Sequence, residues 1–209
     1  MGLISLPNIE VERFLLVNKP SAASYEGEII YLTDVGIAGS YWISNGSVWS
    51  PVGGEVTLAQ SIVNSSVTGT TSETALATYT LPANLTHPNS IIEMNHTWSY
   101  TNSANNKLQR IRHGASGSGL TGDTYYSNAQ TTTAYLSGFT CIRCNNSNSA
   151  QKGCGVDSTI ATGLGSVSAV MRSNSLNLST NATDIVISGQ LANSGETLTL
   201  ISYSIVLRG

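Results

Sequence analysis

From Ile91 to Thr101 the chain alternates without a break. Ile92, Met94, His96, Trp98 and Tyr100 occupy one set of positions, and Glu93, Asn95, Thr97 and Ser99 the other. A period of two over this length is the mark of a half-buried strand, with one aromatic face and one polar face. The same pattern recurs along the chain. Ala75, Ala77, Tyr79 and Leu81 are apolar while Thr78 and Thr80 are polar, and Pro82 stops the run; Ile185, Ile187 and Leu191 share a face near the end; Ile201, Tyr203, Ile205 and Leu207 stand opposite Ser202 and Ser204. Lys107 to His113 returns after a turn over 102–106 with Leu108 and Ile111, a Gly-rich loop follows, Thr131 to Arg143 carries Tyr135 and Phe139, and Val167 to Met171 forms a further strand. Seven or eight strands separated by turn clusters predict an all-β chain whose residues 72–209 form a jelly-roll-like β-sandwich. The last strand, Thr197 to Leu207, is expected inside a sheet, so that removing it would unfold the domain.

A smaller unit precedes the sandwich. Residues 25–54 read as a β-meander: Ile29, Ile30, Tyr31 and Leu32, a turn over 34–39, then Tyr41 to Ser44 paired with Val48 to Val52 across Asn45-Gly46. That dipeptide tolerates positive φ and is the strongest short-range hairpin signal. Trp42 and Trp49 lie on opposite arms of the hairpin. A unit this small lacks the core to stand alone, so its aromatic face must rest on something else, and a partner chain is the first candidate. Residues 1–24 carry Ile9, Val11, Phe14, Leu15, Leu16 and Val17 between Pro7 and Pro20. They read either as an arm that anchors the protein to a larger particle or knots its own oligomer, or as the first strand of the local sheet. Residues 55–71 have no clear period and read as a linker or stalk in which Val56, Leu58, Ile62 and Val63 approach an axis.

The residues of the meander carry a resemblance. Ala23-Ser24 before Tyr25-Glu26-Gly27, the Ile-Ile-Tyr strand, Thr33-Asp34-Val35-Gly36, Ser40-Tyr41-Trp42-Ile43, Asn45-Gly46 and Trp49-Ser50-Pro51-Val52 together resemble the N-terminal module of bacteriophage fibre, head-fibre or capsid-decoration proteins. The resemblance implies a virion component assembled in the host cytoplasm, commonly a homotrimer, bound to phage capsid or tail proteins and without catalytic residues.

Composition bears on the same point. Charged residues make up only 10% of the chain, against roughly a quarter in ordinary soluble domains, which suggests a surface hidden by assembly. No apolar run approaches the roughly 18 to 20 residues of a bilayer-spanning helix, so membrane insertion is not expected. With 9 basic against 12 acidic residues there is no clustered positive charge of the kind nucleic acid requires. The first residues lack the features of a secretory leader, so synthesis and retention in the cytoplasm are expected. So few charges on a monomer would leave apolar surface open, and trimerisation follows as an expectation, with Trp42, Trp49, Ile9 and Phe14 as the contacts. The threefold choice comes from the resemblance alone.

Few residues suggest chemistry. Cys141, Cys144 and Cys154 with His113 could compose a Cys3His zinc site, although strand spacing turns the first two thiols to opposite faces. The other readings are a Cys144–Cys154 contact at a hairpin end, open to oxidation outside the cell, or three unpaired thiols. His87, His96 and His113 are scattered, and His96, on an aromatic face, reads as a packed core residue. Asp34, Asp123, Asp157 and Asp184 read as turn or loop residues. No cofactor is expected. If the protein meets a host surface polysaccharide, Tyr125 and Tyr126, in what reads as an apical loop, are the candidate contacts. The alternatives to a non-enzymatic virion protein are a polysaccharide-acting enzyme and a lectin or adhesin domain.

Overall fold

A computed structural model describes residues 11–157 and 171–209. It is nearly all strand: β1 Glu12–Phe14, β2 Ile29–Leu32, β3 Ser40–Ser44, β4 Trp49–Pro51, β5 Glu55–Ser61, β6 Ser65–Thr68, β7 Thr74–Leu81, β8 Ile91–Tyr100, β9 Lys107–Ala115, β10 Asp123–Gln130, β11 Tyr135–Cys144, β12 Gln151–Asp157, β13 Arg172–Asn174, β14 Thr183–Leu191 and β15 Thr197–Arg208. Among the described residues these form three sheets, ordered β1-β2-β3-β4, β10-β9-β14-β7 and β13-β12-β11-β8-β15-β5, with β6 also on β15. The second and third sheets are the layers of the expected β-sandwich. Most of the strand expected over 167–171 lies outside the described residues.

The alternation at 91–101 becomes β8, whose Ile92, Met94, His96, Trp98 and Tyr100 are all buried. β15 lies against it, antiparallel, and places Leu198, Leu200, Ile205 and Leu207 in the same core after a register shift between Leu200 and Ser202. Its other flank is paired with β5 and β6, so the last strand does sit inside the sheet. In the facing sheet β14 is central, between β9 and β7, and is buried from Thr183 to Gly189. A charged cluster helps cover it. Arg112 donates from Nε and Nη2 to the two carboxylate oxygens of Glu73 at 2.8 Å each, Arg110 pairs with the same carboxylate at 2.9 Å, and Ser188 Oγ on β14 donates to Glu73 Oε1 at 2.5 Å.

Residues 55–71 are not a linker. β5 and β6 run in succession along β15 and form an interrupted edge strand of the sandwich; Leu58 and Val67 are buried, while Ile62 and Val63, in the break between them, are 89% and 77% exposed. The small polar residues that made this stretch look aperiodic are edge-strand residues. The break removes the continuous run of free backbone groups through which bare edges recruit other chains.

The boundary after residue 24 also dissolves. β1 pairs parallel with β2, with Phe14 opposite Leu32. Two parallel strands need a crossover, which must pass over one face of the sheet. Here it is made by two short 3-10 turns, Leu16–Asn18 and Ala22–Ser24, and Leu16 and Ala22 are buried by it. Asp34 fixes the start of the crossover by accepting from Leu16 N at 2.8 Å, and Ser44 fixes its end by donating from Oγ to Ala22 O at 2.7 Å. Of the two readings of the N-terminal segment, the local first strand is the one observed for Glu12–Phe14; Ile9 lies outside the described residues.

Candidate functional site

Side-chain alternation gives the β1–β4 sheet two faces. The inner face holds Ile30, Leu32, Trp42, Ser44 and Trp49, all under 5% exposed. The crossover covers this face, so the tryptophans are packed within their own chain and are not the oligomer contacts expected from the sequence. Trp49 Nε1 donates to Pro20 O at 2.9 Å and its ring lies 5.9 Å from that of Tyr25, which in turn meets Phe14 edge-on at 6.5 Å. Trp42 Nε1 donates to Ser40 Oγ at 2.8 Å. Phe14 is half-buried against the same core.

The outer face is the open one. Register places Ile29 opposite Ile43 and Tyr31 opposite Tyr41, and Val52 N bonds to Tyr41 O. Ile29, Tyr41, Ile43 and Val52 are between 40% and 51% exposed, and Ile37, in the preceding turn, is 62% exposed. The rings of Tyr31 and Tyr41 stand 4.8 Å apart, with the Arg13 guanidinium 5.2 Å from the Tyr31 ring. Gly39, at φ +78°, is required here, because a Cβ would lie 2.3 Å from the Tyr31 hydroxyl. The face runs into a groove of about 380 Å³ lined by Ile37, Tyr41, Val52, Glu55 and Val56, which joins the small sheet to the start of β5. An apolar ladder of this kind is the usual character of an association surface.

A second, more polar cleft of about 420 Å³ separates the small sheet from the sandwich, between Lys19, Trp49, Asn84, Thr86, His87 and Asn148. Lys19 Nζ donates to Asn84 O at 2.6 Å and stands 5.7 Å from the Trp42 ring, and burial lowers its pKa to about 8. Burial, and then the nearby Lys19 charge, lower that of His87.

Tyr125 and Tyr126 are not in a loop and do not reach solvent. They lie in β10, 2% and 3% exposed, at a register shift that makes Tyr125 an extra residue and lets two consecutive side chains turn inward. Gly153 and Gly155 on β12 leave the space, since a Cβ at Gly153 would come within 2.8 Å of Tyr125 Cδ1 and one at Gly155 within 2.6 Å of Tyr126 Cδ2. The Tyr126 hydroxyl donates to Asp157 Oδ2 at 2.6 Å and its ring lies 4.9 Å from His96. Paired glycines two apart, facing two adjacent tyrosines, were the signal in the sequence that these aromatics belong to the core.

Two of the three histidines, His96 and His113, are packed in the core. His96 accepts from Trp98 Nε1 at its Nδ1, 2.8 Å away, which leaves the proton on Nε2 facing Thr140 Oγ1 at 3.3 Å. His113 Nε2 lies 2.9 Å from Thr183 Oγ1. Both rings are at most 1% exposed, and burial drives both pKa values down to about 4, against weaker opposing pulls from Asp157 and Asp184 respectively. Asp184 sits in β14 and organises the loop after β9, accepting from Gly117 N at 2.7 Å and Thr80 Oγ1 at 2.8 Å. Among the described residues no three His, Cys, Asp or Glu side chains gather as a metal site. The three cysteines are free and buried. Cys144 lies opposite Gln151, and the residue facing Cys154 is Cys141, so the contact expected at the hairpin end is displaced by one turn of the alternation.

No protein-family model matches the chain, and no curated protein matches it. Among solved structures it is similar to the lectin UEA-II in complex with galactose, from Ulex europaeus, at 10% identity over 87% of this chain and 93% of that one, with a TM-score of 0.37. It is similar also to the winged bean acidic lectin in complex with methyl-α-D-galactose, at 9% identity over 86% and 92% and a TM-score of 0.36. A third similarity is to the infectious bursal disease virus Gx strain structure, at 11% identity over 74% and 41% and a TM-score of 0.22. At TM-scores this low the likenesses carry no inference about a ligand.

Proposed function

We propose that the chain is a non-enzymatic bacteriophage virion protein, a homotrimeric short fibre or capsid-decoration protein that associates through its N-terminal sheet. The observation that carries this reading is the outer face of that sheet: Ile29, Tyr41, Ile43 and Val52 exposed together, with a groove beside them, in a chain with few charges. The partner on this face is a second copy of the chain. The phage assignment and the threefold symmetry rest on the resemblance of residues 25–54. The buried, neutral histidines support a binding or scaffolding role over a hydrolytic one, since a general base must reach its substrate. Light scattering at micromolar concentration is the test, together with mass spectrometry of purified particles from infected cells. A trimer mass and a peptide signal from the particle are expected; a monomer mass sinks the association, and absence from particles sinks the virion role.

A further inference from the structure

The outward face of the seven-stranded sheet holds two thiols in facing positions. In β11, Gly138 and Ile142 point into the sandwich: a Cβ on Gly138 would strike the His96 ring, and Ile142 is in the core. Alternation therefore turns Cys141 the other way. In β12, Gly153 and Gly155 face the buried tyrosines, so Cys154 between them also turns outward. Register places Cys141 and Cys154 directly opposite each other on antiparallel neighbours. Facing residues of such a pair have Cα atoms about 4.5 to 5.5 Å apart, inside the span of about 4.4 to 6.8 Å that a disulfide bridges. Burial, and then the neighbouring Cys141 thiol, raise the pKa of Cys154. Both are only 2% and 4% exposed, yet neither is part of the hydrophobic core that contains Cys144. On the outward face their strand neighbours are Phe139 and Arg143 in β11, and Lys152 and Val156 in β12.

We propose that Cys141 and Cys154 form a cross-strand disulfide when the protein meets an oxidising medium, with Cys144 left as a thiol. The oxidant is a small-molecule disulfide. One thiolate of the pair attacks a sulfur of that disulfide and expels one small thiolate; the second protein thiolate then attacks the mixed disulfide and expels the other. Two protein thiols lose two electrons and two protons, and one small disulfide is reduced to two thiols. The bond would tie β11 to β12 from outside the core, leaving the packing of both tyrosines undisturbed. Nothing in it depends on the virion reading.

The sequence makes the test direct. Trypsin cuts after Arg143 and Lys152, so the three cysteines fall in three different peptides. The folded full chain is incubated with oxidised glutathione, then denatured, alkylated and digested without reduction. The expected result is loss of two of the three alkylatable thiols and one linked species joining the Cys141 and Cys154 peptides within a single chain; a Cys144→Ser variant gives the same product and Cys154→Ser gives none. Three alkylated thiols after prolonged oxidation, a link through Cys144, a cross-link between chains, or glutathione adducts alone would each overturn the proposal. The wild-type digest decides the question even if a variant fails to fold.

Discussion

Gly138 lies directly across from His96 on the neighbouring strand, and the imidazole occupies the space where a side chain would be: a Cβ at position 138 would sit 2.1 Å from His96 Cε1. Gly138→Ala must therefore push the ring away from Trp98 and Thr140. Overpacking costs about 1 to 3 kcal/mol and a lost buried hydrogen bond about 1 more. Urea denaturation should show a loss of about 2 to 4 kcal/mol, and an unchanged midpoint would mean that the ring is not held there.

The same histidine, with His113, sets an acid limit on stability. Each has a folded-state pKa of about 4 against 6.5 when free. The unfolded chain therefore takes up protons first as pH falls. Stability should be complete above pH 6.5 and decline between 6.5 and 4, by up to about 3 kcal/mol per histidine. Glu73 is a separate case. Burial opposes its charge, but bonds from Arg112 and Ser188 and the charges of Arg110 and Arg112 win and keep its pKa below 4.5, so its contribution disappears only at still lower pH. Denaturation curves at pH 7.5 and 4.8 should differ in wild type, and the difference should shrink in His113→Asn.

Adjacent residues Tyr41 and Trp42 should behave oppositely when substituted. Trp42 is fully buried, so Trp42→Ala should cost about 3 to 5 kcal/mol wherever the chain is in its assembly. Tyr41 is half exposed, so Tyr41→Glu, which loses the ring contact with Tyr31, should change monomer stability by only about 1 kcal/mol. On the proposed association surface, however, it should convert the oligomer to monomer. Light scattering and calorimetry on both variants separate the two effects; an oligomer indifferent to Tyr41→Glu removes this face from the interface.

Lys107, the first residue of the interior strand β9, is unusual for a lysine because its side chain is completely buried. Its ammonium donates to Ser103 Oγ at 2.6 Å, Asn105 O at 2.8 Å and Thr131 O at 3.1 Å and pairs with Glu196 at 3.3 Å. It thereby gathers the turn after β8, the end of β10 and the start of β15. Arg208 pairs with Glu55 and Glu93 at 2.7 and 2.6 Å but is 48% exposed. Exposed pairs contribute little and buried ones leave costly orphans when broken. Lys107→Met should lower the thermal midpoint clearly more than Arg208→Met; equal effects would contradict the burial of the lysine.

The sandwich was legible in the sequence where one face of a strand is uniformly apolar, as in 91–101, because burial imposes the period directly; in 197–207 the buried set changes from Leu198 and Leu200 to Ile205 and Leu207 across the register shift, and Ile201 and Tyr203 of the expected face are only partly buried. Asn45-Gly46 marked its hairpin for a similarly local reason; Gly46 has φ +82°. What escaped is non-local. Nothing in the hairpin itself says which face of Trp42 is inward; residues 15–25 settle that by crossing over it. The extra residue at Tyr125 defeats a strict two-residue period, and so does the break at Ile62-Val63. The cysteines show the same limit: spacing along one strand separated Cys141 from Cys144, but the partner of Cys154 depends on where the loop over 145–150 resets the register.

β15 comes after every strand it joins, yet it is the piece between β8 and the β5–β6 edge. During synthesis the larger layer therefore has a gap where its middle should be until these residues leave the ribosome. Earlier segments can collapse, but they cannot close. A chain interrupted before these residues is left with unpaired strands and is readable as defective by proteases.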